Sequence, residues 1–162
     1  MPNVLQMTRV LAEQPVIPVV PGVQIRNIRI PDDVERWLEL RRRAFAGQRI
    51  GVRERSREDF AVEFLGKSWW RPEATWLAET DGLVGSVTLA RRESRSEAKP
   101  VVHWLMVDPS QRRRGIGRLL MTTLEAVIWD EGGRQIWLET HSTWEEAVAL
   151  YRAVGYVEVQ PV

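Results

Sequence analysis

The sequence predicts an α/β fold in which strands and helices follow each other in the order β-α-α-β-β-β-α-β-α-β. Three observations lead to this fold class. Apolar residues recur at helix spacing in some segments and at strand spacing in others, and the two kinds of segment alternate. Two apolar runs enclose Asp81-Gly82, which is typical of a β-hairpin. An apolar strand pattern over 101–107 leads through a loop with two glycines into an amphipathic helix over 118–130.

Composition and charge limit the function classes. With 162 residues, the chain has the length of one domain with a hydrophobic core, and its hydrophobic and charged fractions, 44% and 28%, are ordinary for a globular protein. The formal net charge of +1 argues against a protein that binds nucleic acid. No apolar run is long enough to span a bilayer, so we expect no membrane partner.

The chain contains no cysteine, which excludes disulfides, thiolate metal sites and a cysteine nucleophile. The N-terminus lacks the basic region, apolar stretch and small-residue cleavage site of a secretory signal. We therefore expect a cytoplasmic protein without a bound metal.

The first residues, 1–22, are predicted to form an N-terminal extension outside a domain that covers 23–162. The extension contains four prolines and shows no sustained period, although Val16–Val20 is compatible with an edge strand. In the first half of the domain, the pattern predicts a strand over 23–30, a helix that begins after Pro31-Asp32-Asp33, a loop over 46–55, and a second helix from Ser56 to Gly66, capped by Ser56 and Asp59.

The second half of the domain is predicted to begin with the hairpin 75–80 and 83–90, followed by a polar loop over 91–100. After the strand and helix named above, we expect a strand over 135–140, a helix that starts at Ser142 or Thr143 and is closed by Gly155, and a last strand over 156–160.

The loop at the strand–helix junction carries the clearest functional signal. It has the form Arg112-x-x-Gly115-x-Gly117. Such a junction presents backbone N–H groups at the positive end of a helix, and residues without side chains let an anion approach the backbone. A Walker-type loop needs a Lys followed by Ser or Thr, a dinucleotide fingerprint needs a third glycine, and neither is present. The pattern predicts a loop that binds a pyrophosphate.

A second motif lies at a fitting distance from this loop. The loop resembles the acyl-CoA pyrophosphate loop of the GNAT acetyltransferases, and Ala147-x-x-Leu150-Tyr151-x-x-x-Gly155-Tyr156 resembles a later motif of the same family. The resemblance implies a mixed, mostly antiparallel, twisted sheet, splayed between its fourth and fifth strands, with helices on both faces. It also implies an acetyl-CoA-dependent N-acetyltransferase, which acts on a primary amine of a small molecule or peptide by direct attack in a ternary complex.

The resemblance further implies roles for individual residues. Backbone groups of Leu105, Met106 and Val107 would bind the pantetheine arm of acetyl-CoA, and the Leu105 N–H would polarise the thioester carbonyl. Tyr151 would protonate the departing thiolate, because a phenol stays protonated at neutral pH. The pyrophosphate would be held by Arg112, Arg113, Arg114, Gly115, Ile116 and Gly117.

The general base is left open among several groups. His103 lies two residues before Leu105 on the predicted strand, hence on the same face, and the pKa of a histidine suits the deprotonation of an amine. Glu139, His141 and Glu79 are alternatives, and many enzymes of the family use a chain of water molecules instead.

Acceptor recognition is expected from the two early helices, their loop and the loop over 91–100. Among the tryptophans, Trp69-Trp70 is the preferred candidate for a pocket or an interface, whereas Trp37 and Trp76 are expected in the core. The layout Arg-Ala-Phe, Glu-Asp-Phe, Trp-Arg-Pro and Leu-Ala-Glu in the first half also looks weakly like the C-terminal half of mycothiol synthases.

Two departures from the family pattern define the alternatives. Trp144 stands where the family usually has Asn, and a tryptophan cannot repeat the bonding of an amide. A non-catalytic CoA-binding sensor or interaction module is therefore the alternative function. The chain also stops where the last hairpin of the family would turn, so strand 156–160 would be an open edge, covered by Val16–Val20 or by a second protomer in a homodimer.

Overall fold

The fold is built on one mixed sheet. The computed structural model describes residues 4–46, 56–94 and 97–159. The sheet has seven strands in the order β2-β3-β4-β5-β6-β1-β7, and every neighbouring pair is antiparallel except β5 and β6. In chain order the strands are β1 (Val4–Val10), β2 (Gln24–Asn27), β3 (Thr75–Glu79), β4 (Leu83–Ser94), β5 (Glu97–Val107), β6 (Gln135–His141) and β7 (Val157–Glu158). The predicted fold class is confirmed.

Four helices pack on this sheet within the described residues: α1 (Val34–Ala44), α2 (Arg57–Phe60), α3 (Ile116–Asp130) and α4 (Glu145–Ala153). The α2 helix continues as a π-helical turn over Ala61–Leu65, and its predicted capping box of Ser56 and Asp59 is present. Short 3₁₀ turns lie at Pro72–Ala74 and Pro109–Gln111. None of the helices in the described ranges has the length and apolarity needed to cross a membrane.

The two faces of the sheet carry separate hydrophobic cores. Strand β3 shows the division, because Trp76 and Ala78 belong to one core and Leu77 to the other. The first core is formed with α3 and the second with α1 and α2. Helices therefore cover both faces, as predicted.

The N-terminal region differs from the prediction. Val4–Val10 forms β1, an inner strand that pairs along its whole length with β6, from Val4 opposite His141 to Val10 opposite Gln135. Only Met7 in β1 is buried, so the strand has almost no apolar alternation from which it could be predicted. The expected edge strand Val16–Val20 is wrong, since these residues have no regular secondary structure.

The last strand is consequently paired in an unexpected way. The described part of 156–160 contains β7, and Val157 and Glu158 lie opposite Thr8 and Met7 of β1. The segment that covers one side of β7 is thus β1 and not Val16–Val20. In the strand order β7 is the outermost strand on its side of the sheet.

The polar loop predicted over 91–100 is also wrong. Strands β4 and β5 continue through it, with Arg91 opposite Pro100 and Ser94 opposite Glu97. A two-stranded ribbon is held by backbone hydrogen bonds and does not require apolar side chains where it is exposed. A Lys99 ammonium that lies 4.8 Å from the centre of the Trp137 ring further ties this ribbon to β6. The loop expected over 46–55 falls almost entirely outside the described residues.

Candidate active site

A cleft opens in the sheet where β5 and β6 diverge. The two strands pair only through Val101 with Trp137 and Val102 with Leu138. Beyond this point β5 contains a bulge, because its register with β4 shifts between Ser86 and Thr88, and Trp104 adopts a positive φ of 50°. The splay was expected between the strands over 101–107 and 135–140, which are β5 and β6 in the structure. It is present there.

The bulge leaves backbone groups of β5 facing the cleft. The Asp108 N–H donates to the Val84 carbonyl at 2.8 Å, and Met106 lies opposite Ser86, so residues 106 and 108 turn their backbone groups towards β4. By the two-residue alternation of a strand, Leu105 and Val107 turn theirs away from β4, into the cleft. Of the three strand residues expected to bind the pantetheine arm, Met106 is thus the one whose N–H is directed elsewhere.

The bulge also changes the position of His103. Its ring lies 6.2 Å from the ring of Phe64 and 5.3 Å from that of Trp104, in the core formed with α1 and α2. Leu105 packs against the other core, on the opposite face of the sheet. The expectation that His103 and Leu105 share a face is wrong, because the extra residue of the bulge interrupts the alternation.

The loop after β5 leads directly into α3. Asp108 accepts hydrogen bonds from the Ser110 N–H at 3.0 Å and its hydroxyl at 2.8 Å, which shapes the first turn. Gly115, with a φ of 85°, is the N-cap of α3 and contributes no side-chain cap. The N–H groups of residues 116–118 in the first turn find no acceptor in the part of the chain that the structure describes. These groups form a set of donors at the positive end of a helix.

The two glycines of the loop are required for different reasons. A Cβ at Gly115 would have open space around it apart from Val20 Cγ2 at 3.6 Å, but the positive φ favours glycine. A Cβ at Gly117 would lie 2.7 Å from Leu150 Cδ2 of α4. Gly117 therefore permits Leu150 of α4 to pack closely against the start of α3, which is a reason for glycine here beside the predicted approach of an anion.

The three arginines of the loop also differ. Arg112 donates to the Ala44 carbonyl at 2.9 Å and to Glu146 at 3.0 Å, so its guanidinium connects the loop with α1 and α4. The Arg114 side chain bonds to Gln111 within the loop. Arg113, with a φ of 66°, lies on the wall of the cavity described next. Arg113 is thus the one of the three that, among the described residues, can add charge to the donors without breaking another side-chain contact.

A cavity of about 1020 Å³ joins the loop to the cleft. Its wall includes the side chains or backbone of almost all the residues predicted for the site: His103, Leu105, Met106, Val107, Arg112, Arg113, Gly115, Ile116, Gly117 and Tyr151. Arg114 is the predicted residue that does not line it. Glu79 lies away from the cavity on β3, where hydrogen bonds from Arg26 lower the pKa of its carboxyl, so it is excluded as a base.

Tyr151 reaches the cavity from α4. Its side chain is 7% exposed, and burial raises the pKa of its hydroxyl well above the ordinary value. No hydrogen-bond partner of the hydroxyl is found within the described ranges. The phenol therefore holds its proton at neutral pH, and among the described residues no acceptor competes for it.

Two further titratable groups line the cavity where β6 ends. Glu139 is exposed and accepts a hydrogen bond from Gln6 at 2.9 Å, and an Arg92 nitrogen lies 3.8 Å from it. The ring of His141 packs edge-to-face against that of Trp144 with ring centres 4.6 Å apart, and its Nδ1 is buried without a partner in the described chain. Both remain alternatives to His103 as the base.

The tryptophans on the cavity are not those preferred from the sequence. Trp70 is 8% exposed and donates its indole N–H to Thr75 at 3.0 Å, and Trp69 packs against the same core. Trp104 and Trp144 line the cavity instead. Trp104 lies at the bulge within β5 and Trp144 at the N-cap of α4, and at both places regular spacing carries no information on side-chain direction.

Residues 31–156 match the family model described as the acetyltransferase (GNAT) family. The chain belongs to this family. GNAT proteins are acyltransferases with acetyl-CoA as the co-substrate, and the cavity fits that molecule: unpaired N–H groups at the start of α3 suit a pyrophosphate, and the unpaired edge of β5 suits an amide-bearing arm.

Individual relatives agree with the family. The mycothiol acetyltransferase of Geodermatophilus obscurus is 31% identical over 159 residues, which cover 94% of this chain and 51% of the relative. That of Thermobispora bispora is 30% identical over 143 residues, covering 83% of this chain and 46% of the relative. This GNAT chain thus spans about half the length of these relatives.

Solved structures share the fold. A GCN5-related N-acetyltransferase from Sphaerobacter thermophilus has a TM-score of 0.78 at 23% identity, covering 98% of this chain and 49% of that one. The aminoglycoside N-acetyltransferase AAC(6')-Iy, solved in complex with CoA, has a TM-score of 0.66 at 19% identity, covering 91% and 95%.

Proposed function

We propose that this protein transfers the acetyl group of acetyl-CoA to a primary amine of a small molecule or peptide, by direct attack in a ternary complex. The observation that carries the proposal is a single cavity shared by three features. These are the free N–H groups at the start of α3, the unpaired backbone of β5, and the buried hydroxyl of Tyr151.

Binding and orientation fall to the backbone in this proposal. The loop from Arg112 to Gly117 holds the pyrophosphate through its N–H groups, with Arg113 adding charge from the wall. Leu105 and Val107 bond the pantetheine arm along the unpaired edge of β5. The Leu105 N–H donates to the thioester oxygen, which stabilises the negative charge that develops there.

Two proton transfers complete the reaction. The amine must lose a proton to attack, and His103, Glu139 or His141 takes it from a position on the cavity wall. Acetyl-CoA supplies the acetyl group as a thioester, whose C–S bond breaks as the new N–C bond forms. Tyr151 gives its proton to the leaving sulfur, since a phenol carries its proton at neutral pH and its hydroxyl reaches the cavity.

The setting of the reaction is part of the proposal. A cytoplasmic location agrees with the absence of cysteine, and no nucleic acid or membrane is needed as a partner. We also propose a homodimer joined at β7, whose outer edge exposes Val157 to 62% and Val159 to 39%. Sedimentation equilibrium would show it as a species of twice 18.7 kDa, and a monomer at all concentrations would contradict it.

The proposed activity is tested by a screen of primary amines with acetyl-CoA, in which free thiol is measured and the acetylated amine is identified by mass. We expect thiol release that depends on both the amine and the protein. The second candidate function is a CoA-binding module without catalysis. The observation that favours it is Trp144, the N-cap residue of α4, because its side chain makes no capping hydrogen bond. A protein that binds CoA but releases no thiol with any amine would support this candidate.

A further inference from the structure

Five rings form a continuous surface on the cavity, which we call the aromatic wall: His103, Trp104, Phe45, Trp144 and His141. In this order the ring centres are 5.3, 5.9, 5.6 and 4.6 Å apart. These separations are those of interacting aromatic pairs. The wall therefore crosses the cavity from the bulge of β5 to the end of β6 without a gap.

The wall differs from the aromatic core beneath it. Trp37 and Phe64 are fully buried, whereas all five members of the wall keep part of their surface exposed to the cavity. Phe45 is the C-cap of α1, Trp144 is the N-cap of α4, and Trp104 has a φ of 50°. A positive φ at a tryptophan is unfavourable and persists only where the surroundings enforce it, a condition that is frequent at ligand sites. Phe45 and Trp104 also pack from one side against the core formed with α1 and α2.

The polar groups around the aromatic wall suit an amine more than a polyhydroxylated ligand. Glu139 lies on the cavity with an exposed carboxylate that attracts an ammonium group. Ring faces attract the same cation. The polar side chains that line the cavity also include Gln111, Thr140, Thr143, Glu145 and Glu146. A sugar ring that lay on the aromatic wall itself would turn hydroxyls towards ring faces, which offer them no strong hydrogen-bond partner, and this is costly.

We infer that the acceptor is a primary amine that carries an aromatic ring, and that this ring stacks on the aromatic wall. The inference rests on the proposed function. The amine nitrogen bonds to the acetyl carbon as the C–S bond breaks, its proton passes to a base on the wall, and Tyr151 protonates the sulfur. Phe45 and Trp144 are the residues that select the aromatic group, while the amine lies towards Glu139.

The test compares 2-phenylethylamine, 2-cyclohexylethylamine and glucosamine. Binding to the CoA-loaded protein is measured by calorimetry, and thiol release from acetyl-CoA is measured separately. We expect 2-phenylethylamine to bind at least about tenfold more tightly than glucosamine and to give the higher kcat/KM. It should also bind more tightly than 2-cyclohexylethylamine, because ring stacking adds to apolar burial. Equal or tighter binding of glucosamine would overturn the inference.

Variants locate the binding. Trp144→Leu and the milder Phe45→Leu should each weaken 2-phenylethylamine about tenfold while CoA affinity is retained. Trp129→Leu is the matched control, because Trp129 lies on α3 outside the cavity and stacks with Arg134 at 3.4 Å. Unchanged amine affinity in both wall variants would contradict the inference.

The two proposals fail in different ways. Selective binding of 2-phenylethylamine without any thiol release would contradict the acetyl transfer and leave the aromatic subsite standing. Thiol release with glucosamine but not with 2-phenylethylamine would support the acetyl transfer and contradict the aromatic subsite.

Discussion

At the scale of residues, Gly117 is constrained by packing as well as by the ligand-binding motif that it matches. We predict that Gly117→Val destabilises the protein by about 1–3 kcal/mol, because the new side chain meets Leu150 where a Cβ alone would be 2.7 Å away. Urea unfolding measures the loss. The double variant Gly117→Val with Leu150→Ala should cost less than the sum of the two single changes, and a purely additive result would contradict this explanation.

The sequence predicted some residues of the site and failed on others for identifiable reasons. Gly115 and Tyr151, which line the cavity, can be predicted as site residues because a loop motif and a helix motif define their positions. His103 was placed on the wrong face because a bulge leaves no trace in the apolar pattern, and Trp104 was missed for the same reason. In the sequence, Trp144 stands out only as a departure from the family pattern and not as a member of the aromatic wall.

At the scale of elements, two arginines hold the loop between β5 and α3 against α1. Arg112 donates to the carbonyl of Ala44, at the end of α1, and Arg43 of α1 donates to Asp108 at 3.0 Å. Burial raises the pKa of Asp108, but the bonds from Ser110 and Arg43 outweigh it and hold the pKa below its ordinary value. The loop is therefore positioned by contacts with the helix that also carries Phe45.

We predict that Arg112→Gln lowers CoA affinity about tenfold, since the loop loses a charged hydrogen bond that holds it against α1. Calorimetry with CoA measures the change. Arg114→Gln is the matched control, because the bond that Arg114 makes among the described residues is to Gln111, within the loop, and Arg114 does not line the cavity. Equal losses of CoA affinity in the two variants would show that the positive charge of the loop determines the affinity, and not the hydrogen bond that holds the loop against α1.

Strand β1 is held by a buried ion pair. Arg9 donates to both oxygens of Glu125 at 2.8 and 2.9 Å, and Tyr156 donates to the same carboxylate at 3.0 Å. Burial raises the pKa of Glu125, while Arg9 and Tyr156 oppose it. The pair links β1, α3 and the segment before β7, which explains how a strand with so little apolar pattern is kept in the sheet.

We predict that Arg9→Leu destabilises the protein by about 2–3 kcal/mol, because it leaves the Glu125 carboxylate buried without its cation; the partly exposed Arg9 places the loss at the lower end of the usual range. Urea unfolding measures it. Adding Glu125→Leu should recover part of the stability, and a further full loss in the double variant would contradict the role of the unpaired charge.

At the scale of the whole molecule, the fold class could be predicted because the hairpin at Asp81-Gly82 and the two family motifs fix the central strands and last helices. Strand β1 could not be predicted, because its place in the sheet is set by pairing with β6 and by the ion pair of Arg9 with Glu125, two residues that are 116 positions apart along the chain. The ribbon over 91–100 was missed because exposed strand pairs need no apolar side chains.

Stability in acid depends on a network at the opposite side of the sheet from β7. Arg26 bonds to Asp33 at 2.7 Å and to Glu79 at 2.8 Å, and these hydrogen bonds lower the pKa of both carboxyls. A lowered pKa in the folded state means that the stabilisation is present above the unfolded pKa and is lost as the pH falls through the folded one.

We therefore predict that the free energy of unfolding falls below about pH 4 in the wild-type protein, and that Arg26→Met is less stable at pH 7 and shows a flatter fall. Urea unfolding between pH 7 and pH 3 measures both. Arg57→Met, which removes an exposed pair with Glu35 at 3.1 Å, should follow the wild-type curve. An unchanged slope in Arg26→Met would contradict the assignment.

The central claim is that the cavity between the α3 loop and the β5–β6 cleft is the active site of an acetyltransferase with Tyr151 as the acid. The most direct measurement compares wild type and Tyr151→Phe in amine-dependent thiol release, with CoA affinity determined for both. We predict that kcat falls by about 10²–10⁴ while the CoA dissociation constant is nearly unchanged, because the hydroxyl acts on the leaving sulfur. Equal kcat values in the two proteins would contradict the account.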